Sequence, residues 1–539
     1  MLGNGADRPA GSVLDKHPRP ATQAGAAVIA AATTSPVESE FDRACALGSN
    51  GDEARYASKI GNFHKGLKHN NFGEVDLASF ATLRAALDGR QPSQFEAIEL
   101  GGTRKLVNPQ AGLAEDTEGP DPAELSICAA PRLDSAAAAG EAVELYWMAL
   151  LRDVPFARFH SDPIVARAAT DLSALSDFHG PRDPMGRITP ATIFRGNARG
   201  DLAGPFVSQF LLKDIPYGSL TISQLQRTVV PGIDYLTSEE SWRAIQDGSE
   251  DVPQDEYDPN RRHIRSMRDL GQYVHVDALY EAYLNAALIL LGMNAPVDPG
   301  NPYAPGKSTK QIGFGTFGGP HLLSLVTEVA TRALKAVWYQ KWFVHLRLRP
   351  EAYGGLVHFV KTGQKTTADY PVHDDVLNSD AVQATFDKYG TYLMPMAFPE
   401  GSPTHPSYGA GHATVAGACV TILKAWFDED AAVSNPVRSN LDGTALDPYV
   451  GPDLTIGGEL NKIAANIAIG RNMAGVHWRS DYVQSLKLGE QVALCILLQQ
   501  STDYNEENTL SLTRFNGQKV TIKSGKLLDE NGVKIPFNC

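Results

Sequence analysis

The chain has 539 residues, of which 43% are hydrophobic and 20% are charged, a globular composition that excludes collagen-like, coiled-coil and wholly disordered proteins. It contains 48 Lys and Arg residues and 62 Asp and Glu residues, which gives a formal net charge of −14. So acidic a surface repels phosphate backbones and anionic lipids, which argues against nucleic-acid and membrane partners. Any anion-binding site must therefore be built locally from clustered cations.

The N-terminal stretch, residues 1–38, is rich in Ala, Gly, Pro and Thr and shows no signal-peptide pattern. We predict that it forms a mobile arm. The longest apolar runs, such as 286–293 and 492–498, are shorter than the ~18 to 20 residues that a membrane span needs. The sequence therefore predicts a soluble protein and favours a cytoplasmic location.

From about residue 140 onward, hydrophobic residues recur at helical spacing. This periodicity predicts helices over residues 141–158, 277–293, 322–348, 412–428, 457–474 and 482–499. Strand signals are weak until the tail, where residues 520–522 and 533–535 flank Asn531-Gly532 and predict a terminal hairpin.

The predicted architecture is mainly α, with one helical domain over residues 39–505 and a hairpin tail over 506–539. Long loops containing Pro and Gly occupy 175–265 and 294–320. Such loops and the N-terminal arm would be poorly buried in a monomer, which predicts a closed homo-oligomer.

The five cysteines show no metal-binding spacing. Cys419 and Cys495 lie in apolar helical runs, and we interpret them as small buried hydrophobic residues. Cys45, Cys128 and Cys539 could form a disulfide in an exported protein, and their spacing does not decide the matter.

Three segments place cations and histidines where a helical core should be apolar. The first, WYQKWFVHLRLRP, carries Lys341 and Arg349 before a helix-breaking proline. The second, HPSYGAGHATVAGACV, delivers Gly411 and His412 to the start of an Ala-rich helix. In isolation, each has an ordinary structural explanation, such as a snorkelling lysine or a structural histidine.

The third segment, AIGRNMAGVHWRSD, carries Arg471, His477 and Asp481. On an unbroken helix, Arg471 and His477 would point about 120° apart. Gly475 is a natural helix stop, so the chain can turn His477 back toward the same pocket. Asp481 is then placed to accept the second imidazole N–H. A surface pair between Arg471 and Asp481 is the simpler alternative.

Together the segments predict a site for an oxyanion that bears several charges. Burying such an ion requires counter-charges and hydrogen bonds that replace its water. Two guanidiniums provide multidentate donors, and an ammonium adds a compact charge. The amide of Gly411 adds a donor at the positive end of a helix.

The three segments resemble the signature of the vanadium haloperoxidases and the type 2 phosphatidic acid phosphatase superfamily. Seven residues separate Lys341 from Arg349, which is similar to algal and cyanobacterial bromoperoxidases rather than to the phosphatases, where six are usual. The likeness extends to YWMALLRDVPF and FRGNARGDLAGPFVSQFLLKDIPYG and covers roughly residues 140 to 500. It implies a helical-bundle haloperoxidase fold with vanadate bound within residues 335–485.

By matching position, the resemblance implies that His477 bonds the metal of vanadate axially. It implies that Lys341, Arg349, Arg471 and the Gly411 amide hold the equatorial oxygens.

The resemblance also implies that His412 is the acid–base group, that His405 tunes the halide site and that Trp338 lines the pocket. A plain core aromatic is the alternative for Trp338. The chain departs from the family where Gly409-Ala410 replaces Pro-Ser. The missing serine hydroxyl removes a hydrogen bond to a charged group, which typically costs ~1.5 to 3 kcal/mol.

The implied activity is oxidation of a halide by hydrogen peroxide, with bromide favoured, iodide expected and chloride open. The resulting hypohalous acid would halogenate a small organic acceptor. Two alternatives remain: a soluble acid phosphatase with a phosphohistidine at His477, and a catalytically weak oxyanion-binding protein, suggested by Ala410. Residues 301–313 supply no carboxylate, so we predict no calcium site there.

Overall fold

The computed structural model describes residues 40–537 and residue 539, so the predicted arm over 1–38 lies outside the described residues. The α-helices are α1 (Asp52–Arg55), α2 (Leu77–Gly89), α3 (Pro92–Glu96), α4 (Ala136–Leu150), α5 (Pro163–Ala174), α6 (Glu239–Gln246), α7 (Met267–Val276), α8 (Glu281–Gly292), α9 (Gly319–Tyr339), α10 (Pro350–Lys361), α11 (Asp374–Leu377), α12 (Asp380–Tyr389), α13 (Gly411–Trp426), α14 (Ile456–Met473) and α15 (Arg479–Gln500). The mainly α prediction is confirmed.

Shorter elements connect these helices. The 3₁₀ turns span Ala111–Leu113, Phe156–Ser161 and Gln209–Leu211, and a π-helical turn, Gln340–His345, continues α9. The antiparallel strands are β1 (Ile215–Tyr217) with β2 (Leu220–Ile222), β3 (Val437–Ser439) with β4 (Leu446–Pro448), and β5 (Leu510–Thr513), β6 (Lys519–Lys523) and β7 (Lys526–Asp529) in one sheet.

Helices α13, α14 and α15 form the centre of the molecule. All 18 residues of α14 are buried, as is α13 from Ala413 onward, so neither helix has a polar outer face. Glycines allow α13 and α15 to approach to backbone contact. A Cβ on Gly489 would lie 1.9 Å from the Thr414 carbonyl oxygen, and one on Gly417 would lie 2.2 Å from that of Leu486.

The helix predicted over 277–293 begins later than expected. Asp277 has an extended backbone and terminates α7, and α8 starts at Glu281. The helix predicted over 141–158 ends at Leu150, before Pro155. These differences place the Asp277 carboxylate at a helix end instead of inside a helix.

The C-terminal β structure has three strands, and its predicted turn was wrong. Lys523 pairs with Lys526 across Ser524-Gly525, whose φ angles of 47° and 71° suit a two-residue hairpin turn. Asn531-Gly532 follows the last strand, and residues 533–535 contribute only an isolated bridge from Lys534 to Leu528.

Two disulfides are present, Cys45–Cys128 and Cys495–Cys539. Cys495 is buried, as interpreted, but it also pairs with Cys539 near the end of the chain, which the sequence did not predict. Cys419 is a buried thiol, as interpreted. Among the described residues, no single helix combines the length and apolarity of a membrane span; α7 and α8 do so only as a pair bent by 101°.

Because α13 and α15 are in close contact, we expect Gly489→Ala to change the free energy of unfolding in the opposite direction from the usual one. Replacing glycine by alanine inside a helix normally stabilises by about 0.5 to 1 kcal/mol. Here the methyl group would strike the Thr414 carbonyl, so we expect a loss of about 1 to 3 kcal/mol in the free energy of unfolding. Urea unfolding followed by circular dichroism measures this.

Gly271→Ala in α7 is the matched control. Its Cβ would meet only the Ala474 methyl at 3.8 Å, an ordinary contact, so this variant should be as stable as the parent or more so. Equal stability changes for the two variants would contradict the close-packing explanation.

Candidate active site

The three segments singled out in the sequence meet at the ends of five helices, α9, α10, α13, α14 and α15. Lys341 lies in the π-helical turn after α9, and Arg349 is the residue before α10. Arg471 is in the last turn of α14, and His477 lies between α14 and α15. All four side chains are buried, and Arg349 Nη1 lies 3.1 Å from His477 Nε2.

Backbone carbonyls, not carboxylates, hold the three cations in place. Lys341 Nζ donates to the carbonyls of Pro406 at 2.8 Å and Ser407 at 3.0 Å. The guanidinium of Arg349 donates to the carbonyls of His405 at 2.8 Å and Val476 at 2.7 Å.

Arg471 is held in the same way, through a 2.6 Å hydrogen bond from Nη1 to the Val274 carbonyl. Its guanidinium also lies 5.4 Å from the centroid of the Phe398 ring. Among the described residues, its Nε–H has no hydrogen-bond partner although the atom is buried. A buried donor without an acceptor is costly, so this N–H favours an acceptor in the pocket.

The arrangement leaves positive charge uncompensated. Within residues 40–537 and 539, none of the three cations forms an ion pair with a carboxylate. Burial lowers the pKa of Arg349 to about 9 and that of Arg471 to about 10. Burial, with Arg349 nearby, lowers the pKa of Lys341 well below its usual value. An anion in the pocket would reverse these effects, because it favours the charged form of each group.

His477 is turned into the pocket as the sequence predicts. Gly475 adopts a left-handed conformation, φ 86°, and ends α14. His477 Nδ1 lies 2.6 Å from Asp481 Oδ2, and Asp481 also accepts from Arg347 Nη1 at 3.1 Å. Burial raises the pKa of Asp481 to about 6, so it is mainly ionised at neutral pH.

This contact fixes the proton on Nδ1 of His477 and leaves the lone pair on Nε2. Burial, reinforced by Arg349, Lys341 and Arg471, lowers the pKa of His477 well below its usual value. The imidazole is therefore neutral, and its Nε2 lone pair can bond a metal or attack an electrophile.

His412 sits differently from the buried cations, because 18% of its side chain is exposed. Its Nε2 lies 3.0 Å from Asp277 Oδ1. Although burial favours the neutral acid, His412 and Arg471 lower the pKa of Asp277. The ionised carboxylate accepts the Nε2–H, so Nδ1 is the ring nitrogen that remains for proton transfer.

Trp338 connects the remaining predicted residues. Its ring lies 4.8 Å from the ring of His405, and its edge is 3.1 Å from where a Cβ of Gly411 would stand. His405 Nδ1 lies 2.9 Å from Arg349 Nη2. Trp338, in the first segment, therefore packs against the second segment.

Ala410 immediately precedes α13, is buried, and donates its N–H to Ser485 Oγ at 2.7 Å. A Cβ on Gly409 would lie 2.3 Å from the same oxygen. Ser485 therefore fixes the backbone that presents the Gly411 amide, and Gly409 makes room for it.

The sequence did not identify Asp277, Arg347, Phe398 or Ser485. Arg347 alternates with Arg349 in LRLRP, a signal that could have found it. The other three have no local signal, since Asp277 meets His412 across 135 residues.

The donor set fits a multiply charged oxyanion. Three buried cations act electrostatically on the neutral imidazole of His477, and Arg349 lies 3.1 Å from its Nε2. The orphaned Nε–H of Arg471 and the amide at the N-terminus of α13 are further donors.

Comparisons with known proteins identify relatives of this chain. A family model described as the VCPO second helical-bundle domain matches residues 321–504. The vanadium-dependent bromoperoxidase of Corallina pilulifera is 38% identical over 564 residues, covering 88% of this chain and 94% of the relative. That of Ascophyllum nodosum is 35% identical over 515 residues, covering 90% of each.

A solved structure is similar over the whole described fold. The homohexameric structure of the second vanadate-dependent bromoperoxidase from Ascophyllum nodosum has a TM-score of 0.84 and 29% identity, covering 97% of both chains.

Proposed function

The chain belongs to the vanadium-dependent bromoperoxidase family, and we propose that its pocket holds vanadate and uses hydrogen peroxide to oxidise bromide. The observation that carries this proposal is the neutral Nε2 of His477 among three buried cations, none of which pairs with a carboxylate in the described part of the chain. A multiply charged oxyanion compensates these cations, and a neutral imidazole nitrogen is a good ligand for its metal.

In this proposal, His477 Nε2 bonds the metal, and Lys341, Arg349, Arg471 and the Gly411 amide bind the oxygens. When bound, vanadate supplies a Lewis acid that activates peroxide toward attack by halide. Asp481 keeps the His477 lone pair on Nε2 and directed into the pocket.

His412 takes a proton from hydrogen peroxide through Nδ1, since Asp277 occupies its Nε2–H. Two of the three N–H bonds of Lys341 go to the carbonyls of Pro406 and Ser407. We propose that the third donates to the oxyanion. Its charge stabilises the negative charge that develops as the O–O bond breaks.

We infer bromide as the favoured halide, with iodide accepted and chloride open, and a small organic molecule as the acceptor of the hypohalous acid. His405 beside Trp338 is the proposed halide-tuning residue. Its pKa is lowered well below the usual value by burial and by Lys341 and Arg349, so the ring is neutral.

The direct test is peroxide-dependent halogenation of a phenol-type dye with chloride, bromide and iodide, before and after loading with vanadate. Bromination that appears on loading supports the proposal. Phosphomonoester turnover by apoprotein, suppressed by vanadate, would support the phosphatase. Tight vanadate binding without turnover of any halide would support the oxyanion-binding protein.

The compartment expected from the sequence has little support. The disulfides Cys45–Cys128 and Cys495–Cys539 are typical of an oxidising compartment, so they favour export over the cytoplasm.

We further propose a homo-oligomer, supported by the homohexameric solved relative. Light scattering at micromolar concentration should give a multiple of the 58.1 kDa chain mass. A monomer mass would contradict this proposal.

Substitutions of the two histidines at the pocket should affect vanadate retention and turnover differently. His477→Ala should abolish vanadate retention and activity together, because it removes the proposed metal ligand. His412→Ala should keep bound vanadate and lose about 10² to 10⁴-fold in turnover, the usual contribution of a general base. Vanadium content and bromination rate per vanadium measure both. Full vanadium content in His477→Ala would overturn the assignment.

Ala410→Ser should restore the missing donor. The residue directly precedes the Gly411 amide, and serine adds only one oxygen atom. One hydrogen bond to a charged group corresponds to about ten- to a hundred-fold tighter vanadate binding, measured by titrating apoprotein. Ala418→Ser, inside α13, is the matched control and should leave the affinity unchanged. Equal affinity in Ala410→Ser and wild type would show that the hydroxyl does not reach the oxyanion.

A further inference from the structure

Carboxylates lie near the three cations of the pocket. Each of these carboxylates already pairs with a different basic side chain. Glu351 and Asp481 act electrostatically on Arg349, and Asp277 and Glu400 act on Arg471. The pairs are Asp481 with Arg347 at 3.1 Å, Asp277 with His412 at 3.0 Å, Glu400 with His275 at 2.7 Å, and Glu351 with Lys65 at 2.5 Å.

Glu351 is a second potential competitor for Arg349, after Asp481. It lies two residues further along the chain, in the first turn of α10, and is fully buried. A buried carboxylate beside a buried guanidinium normally forms an ion pair. Among the described residues these two do not, which calls for a force that holds Glu351 elsewhere.

Lys65 supplies that force from the far end of the chain. Its ammonium is buried and donates to Glu351 Oε1 and to the carbonyls of Glu400 and Ser402, which uses all three N–H bonds. The backbone N–H of Ser402 donates to Glu351 Oε2 at 2.5 Å.

Gly401 makes this position of Glu351 possible. Its φ is 64°, and a Cβ there would stand 2.5 Å from Glu351 Oε2. The carboxylate therefore has a dedicated receptacle formed by Lys65, Gln246 and residues 400–402.

We propose that Lys65 is a positioning residue that sequesters Glu351 and so keeps the Arg349 guanidinium free for the oxyanion. This inference rests on the proposed function. Without Lys65, the uncompensated carboxylate would turn to Arg349, the cation closest to it in the chain, and compete with vanadate for it. A lysine that only made the local structure rigid would not control which cation the Glu351 carboxylate contacts.

Vanadate binding to the apoprotein, measured by isothermal titration calorimetry, tests this. Lys65→Met should weaken binding by about tenfold or more, the size of one charge–charge interaction in a partly screened site. Lys65→Met/Glu351→Gln should recover to within about threefold of wild type, because the competing charge is gone. A double variant as weak as the single, or a Lys65→Met variant that binds normally, would overturn the inference.

Two further variants cover the case in which Lys65→Met does not fold, which thermal unfolding will show. Lys65→Arg keeps the charge and should bind vanadate as wild type does. Glu351→Gln alone removes the competitor, so its affinity should equal or exceed that of wild type, and weakened binding would overturn the inference. Wild-type apoprotein that fails to bind vanadate would overturn the proposed function itself, a result distinct from normal wild-type binding with an unaffected Lys65→Met.

Discussion

The burial of three uncompensated cations around one neutral imidazole is the constraint on which the rest of this structure depends. Mutual repulsion among Lys341, Arg349 and Arg471 disfavours the folded state, and desolvation adds to the cost. The fold opposes both by directing carbonyl dipoles at the cations. The segments around the pocket keep those carbonyl groups in fixed positions.

Helix ends are well suited to this task, because their last carbonyls and first amides lack partners inside the helix. The Val274 carbonyl near the end of α7 meets Arg471, and the Gly411 amide begins α13. The remaining carbonyls come from residues 405–407 and from Val476, in segments that are fixed at both ends. The pocket is thus a meeting point of helix ends, and the packed bundle behind it supplies the rigidity.

The sequence predicted those parts of the structure that have a local cause. Helices α13, α14 and α15 begin and end within three residues of the predicted bounds, because apolar periodicity and Gly475 set them. Lys341, Arg349, Arg471 and His477 were predicted from clustered charge and from the family resemblance. The partners of Asp277, Cys495 and Glu351 could not be predicted, since each pairing joins distant segments and leaves no mark on local spacing.

Because backbone carbonyls accept the hydrogen bonds of the cations, these bonds do not depend on which side chains the supporting segments carry. Every residue supplies a carbonyl, so replacing Pro406 or Val476 by another residue that keeps the local backbone preserves the acceptor. Both residues are buried, so substitutions there are limited by side-chain packing and by the local backbone rather than by the contact with the cation.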